Sequence, residues 1–195
     1  MEFKVPRRTK ELAKSELLEA TIAIARERGL SRVTVEAVAQ RARCAKGLVL
    51  YHFKSRSLLL EAMIFEVLRR RQADWSIAFG RTGPTAVIDA TWNLLTIESA
   101  NGTARLFGGI WSHAAEITDQ LASNALISFA AAISHGAAQV LRSHGLRAGV
   151  EIGETGWLLT AVILGTESAL SNGADPGELE GAYTRAWLAL LELVG

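Results

Sequence analysis

The sequence predicts an all-α protein built in two parts, with a helix-turn-helix segment ahead of a larger helical one. Three observations lead there. Proline occurs only three times in 195 residues while 49% of the chain is hydrophobic, so helix is favoured and a sizeable core is expected. Apolar residues recur at helical spacing through segments that end at Gly or Asn-Gly, and no alternating run suggests a strand. Charge, finally, is divided. Residues 1–71 hold 16 of the 21 Lys and Arg against 8 of the 20 acidic residues, a balance of +8; residues 72–195 hold 5 and 12, a balance of −7. Such asymmetry points to an anionic partner for the basic part, nucleic acid or a membrane surface, or else to a solvated charged face.

Each element has its own signal. The opening MEFKVPRRTKELAKS is charged and lacks the apolar stretch of a secretory signal, and no apolar run nears the ~18–20 residues of a membrane span. A single cysteine, Cys44, excludes an internal disulfide framework or a multi-cysteine metal site and reads as a small core hydrophobe. A cytoplasmic protein is expected. Residues 9–28 form a first helix, capped by Thr9, with Leu12, Leu17, Ala20 and Ile24 in its apolar stripe and Gly29 past its end. A short helix starts at Thr34, whose hydroxyl can cap it, with Glu36 in the first turn where a carboxylate favours the dipole. After a break at Arg43-Cys44, a third short helix runs from Ala45 to about Tyr51; FKSRS then turns the chain, and Ser55 caps a long helix through about Phe79.

The remainder is punctuated mostly by glycine. Pro84 opens a helix to about Ala100, Asn101-Gly102 ends it, and a short helix contains Phe107 to His113. An Ala-rich helix spans about Glu116 to Ser143, another spans Val150 to Ser171, and Asp175-Pro176 starts the last, which reaches Val194. That makes about nine helices, with no repeat and no low-complexity tract.

Two short helices joined by a tight turn within a basic segment fit a helix-turn-helix. Val35, Val38, Ala39, Cys44, Val49 and Phe53 can lock the pair through an inner face, while Lys46, His52, Lys54 and Arg56 can face a duplex. The helix starts at Thr34 and Ala45 offer N–H groups to phosphates, and Gly47 permits close approach of backbone to DNA.

The stretch TVEAVAQRARCAKGLVLYHFKSRSLLLEAM resembles the DNA-binding signature of the TetR family of bacterial repressors. The resemblance rests on a Thr-capped helix followed, after a turn, by Lys-Gly, Tyr-His-Phe and Lys-Ser, and it covers about 50 residues of the N-terminal third. It implies that Thr34 binds phosphate, that Lys46 and Gly47 contact bases or phosphate at the start of the recognition helix, and that Tyr51 and His52 reach backbone or base edges at its end. Lys54 and Arg56 would hold the flanking strand. Glu36 could accept from cytosine N4 or simply stabilise the helix dipole. The tail bearing Lys4, Arg7, Arg8 and Lys10 could enter the minor groove or stay solvated.

Three positions depart from the family pattern. Arg43 stands where the turn usually has Gly, so the turn either avoids positive φ or accepts strain, and the added charge could serve as a phosphate contact. Leu48 replaces a Thr or Ser type and could pack on a thymine methyl, and Leu50 replaces an aromatic that commonly contacts phosphate.

The resemblance implies DNA binding by residues 1–55 and, for residues 56–195, dimerisation and a small-molecule site. A two-fold dimer would set two recognition helices roughly 34–36 Å apart on a palindromic operator. Ala161, Gly165 and Ala169 make a small-residue strip on the penultimate helix, and Ala182, Ala186, Trp187 and Leu190 make the matching candidate face on the last. Trp75, Trp92, Phe107, Trp111, Phe129 and Trp157 could line an apolar cavity, with Asn93, Glu98, His113, Glu116 and His135 as its polar groups; the same aromatics also suit an ordinary core. No cofactor and no metal is expected, and no nucleophile motif, phosphate loop or acid pair suggests an enzyme.

The reading is a homodimeric, ligand-responsive regulator, a repressor released from its operator by a largely apolar or aromatic effector. An architectural DNA binder and a ligand-binding helical protein that has lost DNA binding are the alternatives.

Overall fold

The structure, a computed structural model, describes residues 10–112, 119–144 and 152–194. Among them the chain forms nine α-helices and one short 3-10 turn (Leu30–Arg32), with no strand. The helices are α1 (Lys10–Arg28), α2 (Val35–Arg41), α3 (Lys46–Phe53), α4 (Arg56–Phe79), α5 (Pro84–Ala100), α6 (Thr103–Ser112), α7 (Asp119–His144), α8 (Ile152–Ser171) and α9 (Pro176–Val194). The all-α reading holds, and the local signals behind it are visible. Gly29 takes φ 84° just past α1, and Thr34 Oγ1 accepts from Ala37 N at 3.0 Å to cap α2. Ser55 Oγ accepts from Leu58 N at 3.2 Å at the head of α4, and Pro84 is the first residue of α5. The cap expected from Thr9 lies outside the described residues.

Contacts divide the chain into two units, residues 1–67 and 68–195, so the division falls inside α4 rather than at the 55/56 division drawn from the motif. In the first unit α2 packs against both α1 and α3, and Leu17, Ala20, Ile24, Val38, Val49 and Phe53 are buried. Leu12, expected in the α1 stripe, is 51% exposed, because the buried face passes through Ala13 and Leu17 instead. Cys44, expected as a small core hydrophobe, is half-buried and stands outside the fully buried core.

In the second unit α7 and α8 pair most extensively, and α5 and α9 pack on α8. Its core is aromatic: Trp75 meets Phe129 edge-on with ring centres 5.6 Å apart, and Trp92 lies 5.7 Å from Tyr183. The Tyr183 hydroxyl donates to Thr91 Oγ1 at 2.9 Å, and burial pushes its pKa up to about 12. Close helix approach depends on two glycines. A Cβ at Gly136 would meet Phe79 Cβ at 2.9 Å, and one at Gly156 would meet the Ser134 Cα at 2.8 Å. Overpacking of this kind strains a close-packed interior.

Candidate functional site

The candidate nucleic-acid interface lies in the first unit. α2 and α3 are joined by a four-residue turn, residues 42–45, in which Arg43 adopts φ 51°. Of the two outcomes open for Arg43, the structure shows the strained one: an L-residue occupies the left-handed region that glycine usually fills. Lys54, at the end of α3, also has positive φ, 64°. The inner face forms largely as expected, with Val38, Ala39, Val49 and Phe53 buried and Val35 and Cys44 half-buried.

Outward, the structure sorts the DNA candidates into two groups. Glu36, Arg43, Ala45, Lys46, Gly47, Tyr51 and Lys54 are exposed, whereas Thr34, Leu48, His52 and Arg56 are half-buried. Tyr51, 58% exposed, does not pack into the core; Lys54 Nζ lies 5.3 Å and Lys10 Nζ 5.9 Å from its ring centre. Leu50 is exposed beside it. Gly47 has open space where a Cβ would stand, so packing within the chain does not require glycine there.

Two candidates already have protein partners. Lys46 Nζ is 2.6 Å from Glu36 Oε1, and this bond is the main reason the Glu36 carboxyl titrates below its ordinary value. Arg56 Nε donates to Val33 O at 2.6 Å and Nη2 to Leu30 O at 3.1 Å. Its guanidinium thus anchors the 3-10 turn ahead of α2. Arg41 similarly grips Glu27 through both carboxylate oxygens at 2.6 and 2.7 Å, fastening α2 to α1. Sequence reasoning passed over Arg28 and Arg32, which line a groove with Ser31, Thr34 and Ala37 at the start of α2. Their signal was available, as basic residues bracketing Gly29.

In the second unit, Trp75, Trp92, Phe107 and Phe129 are buried together, as expected of a shared interior. Trp157 and Asn93 are not part of it. Trp157 is 57% exposed on the outer face of α8, and Asn93 is exposed in an open groove with Asp74, Ile77, Asp89 and Leu94. The Trp111 side chain, His113 and Glu116 lie outside the described residues. His135 is exposed and 3.3 Å from Gln139 Nε2. Among the described residues no group of three or more His, Cys, Asp or Glu could hold a metal ion.

A polar cluster sits in the aromatic interior. Arg71 Nε lies 3.0 Å from both Glu98 oxygens, and its Nη2 lies 2.9 Å from Glu98 Oε2 and 2.6 Å from Glu167 Oε2. Trp75 Nε1 donates to Glu98 Oε1 at 3.2 Å. The Phe107 and Phe129 rings lie 4.3 and 4.0 Å from Arg71 Cζ. Burial raises the Glu98 carboxyl above its ordinary value; Arg71 opposes the shift and Glu167 adds to it. Sequence reasoning named Glu98 but missed Arg71 and Glu167. Each stands on the buried stripe of its helix, where charge is rare unless paired, and that position was the available signal.

The small-residue faces are partly as expected. Ala161, Gly165 and Ala182 are exposed and Ala169 and Ala186 half-buried, but Trp187 and Leu190 are buried in their own unit. This corrects their assignment to an interface. Trp157, Ala161 and Gly165, four residues apart, instead share one face of α8, with Leu158 exposed beside it.

Residues 17–63 match the family model described as bacterial regulatory proteins, tetR family. The HTH-type transcriptional regulator BetI of Burkholderia thailandensis is 40% identical over 60 residues, 31% of this chain and 31% of that protein, so the likeness spans about a third of the relative's length. Among solved structures, a transcriptional regulator from Rhodococcus sp. Rha1 superposes with TM-score 0.76 at 22% identity, covering 93% of this chain and 97% of that one. A SmeT–triclosan complex superposes with TM-score 0.69 at 19% identity, covering 93% and 91%. These two likenesses show a shared fold. No helix among the described residues is long and apolar enough to cross a membrane.

Proposed function

We propose that this chain, whose residues 17–63 match the tetR family model, is a homodimeric transcriptional regulator, a repressor released from a palindromic operator by a small molecule. The observation that carries this reading is the exposed face of α3 with its flanking turn: Arg43, Lys46, Tyr51 and Lys54 stand outward around a glycine that the fold itself does not need. Cations at that spacing suit phosphate contacts, and Gly47 leaves room for a duplex.

Regulation by an effector is supported by a structural neighbour that carries triclosan and by the polar cluster inside the aromatic interior of the second unit. The division of labour would follow 1–55 for DNA binding and 56–195 for effector and partner. Coupling would run through α4, the helix common to both units. Dimerisation is supported by the exposed face of Trp157, Leu158, Ala161 and Gly165, too apolar to be left to water in a monomer. Action in the cytoplasm, without enzymatic chemistry, completes the reading.

Fluorescence anisotropy tests it. DNA from upstream of the protein's own gene is compared with scrambled DNA at two salt concentrations, for the wild type and for Lys46→Ala with Lys54→Ala. Salt-sensitive binding to the upstream DNA alone, lost in the double variant while dimerisation persists, is the expected result. Equal binding to both DNAs identifies an architectural protein, and binding to neither identifies a chain that has lost its operator.

A further inference from the structure

Among the described residues the buried cluster is one positive charge short, and two of its polar atoms have no partner. The Arg71 and Glu167 side chains are only 1% and 7% exposed, yet Arg71 Nη1 and Glu167 Oε1 have no hydrogen-bond partner among the described residues. Both Glu98 oxygens are already engaged, by Arg71 and by Trp75. Each idle atom shares its carbon with one atom of the Arg71 Nη2–Glu167 Oε2 contact, so one unused donor and one unused acceptor belong to the same ion pair. Two carboxylates against one guanidinium leave a formal charge of −1 in an apolar surrounding, where an unbalanced charge and an unmade hydrogen bond are both costly.

We propose that this cluster is the recognition point for a small organic cation, a protonated amine on an aromatic or apolar body with a hydroxyl or carbonyl oxygen beside the nitrogen. Its N–H donates to Glu167 Oε1 and its oxygen accepts from Arg71 Nη1. The inference rests on the effector-responsive reading above and names the effector's chemical class. A carboxylic acid is excluded, because a third carboxylate would deepen the negative charge that the cluster already carries. A neutral molecule could fill the hydrogen bonds but not the charge. Without the cation, a proton on Glu98 is the other way to balance the site, in line with the raised carboxyl that burial produces there. The charged groups acting on Glu98 are Arg71 from α4 and Glu167 from α8. Cation and proton therefore compete to balance the same charge.

Three probes on one phenyl body separate the possibilities: 2-amino-1-phenylethanol, 1-phenylethane-1,2-diol and mandelate. Calorimetry on the full chain near neutral pH should show the amine binding about ten-fold or more tighter than the diol. Mandelate should not bind. Glu167→Gln should weaken the amine by about ten-fold while the diol changes little. Mandelate or the diol matching the amine, or no probe binding, overturns the proposal; so does unchanged amine affinity in a folded Glu167→Gln. The probe series on the wild type decides the matter even if that variant fails to fold. Operator binding measured alongside keeps the two readings apart: its persistence without amine binding sinks only the effector class, whereas its absence sinks the regulator.

Discussion

Lys46 and Glu36 form an ion pair, Nζ to Oε1 at 2.6 Å, that ties the first residue of α3 to the first turn of α2 on the face proposed to meet DNA. Both side chains are well exposed, so the pair contributes little to stability. Its weight falls on binding, because a phosphate that takes Lys46 must displace Glu36.

Glu36→Gln should therefore tighten binding to arbitrary DNA and steepen its dependence on salt by about one unit of log–log slope, as one more cation becomes available. Anisotropy titrations over a range of salt check it. Weaker binding confined to one operator sequence would show instead that the carboxylate reads a base.

The turn before α3 makes an opposite trade. At φ 51°, Arg43 is in a conformation that costs an L-residue about 1–2 kcal/mol, against about 0.5–1 kcal/mol of extra chain entropy lost by glycine. Arg43→Gly should stabilise the protein by about 0.5–1 kcal/mol in urea unfolding. Operator affinity should fall in the same variant if the guanidinium reaches phosphate, so the two measurements move in opposite directions.

Removing one member of the buried cluster should be severe. Arg71→Ala leaves Glu98 and Glu167 facing one another without a counter-charge, at a cost of about 3–5 kcal/mol. Replacing all three together, by Met at 71 and Leu at 98 and 167, should recover most of that loss, since a buried ion cluster is seldom more stable than apolar packing of similar volume. Equilibrium unfolding of the two variants makes the comparison.

Stability should also respond to pH through Glu98. Its folded carboxyl is raised above the unfolded value of 4.5, so the folded chain keeps a proton that the unfolded chain has released. The stabilisation from this group is full below the unfolded value and is lost as pH rises through the folded one. Glu98→Gln, which cannot titrate, should remove that decline, as urea midpoints measured across the acidic-to-neutral range would reveal.

Much of the fold was legible because its signals are local. Thr34, Ser55 and Pro84 mark helix starts through contacts within a few residues, and Gly29 marks an end through its own backbone. The candidate interface on α3 was legible for the same reason, as its residues are neighbours in sequence. Other assignments depended on contacts the chain makes only after folding. Arg56 reaches carbonyls 23 and 26 positions earlier, so it looked free for a duplex, and Arg71 joins Glu98 and Glu167 across 27 and 96 positions, which no local pattern announces. Trp157 and Trp187 exchanged roles, one outside and one inside, because both helices are apolar on more than one face and periodicity could not choose between them.

The bond from Trp75 to Glu98 gives the protein an optical readout of its own interior. The indole is fully buried, and its N–H donates to the Glu98 carboxyl, whose ionisation burial resists. A charge appearing at one end of an indole shifts the energy of its excited state, so emission from Trp75 should change colour when Glu98 ionises. The Trp75→Phe variant supplies the background to subtract. Occupancy of the cluster could then be followed by light alone, without a label and without DNA.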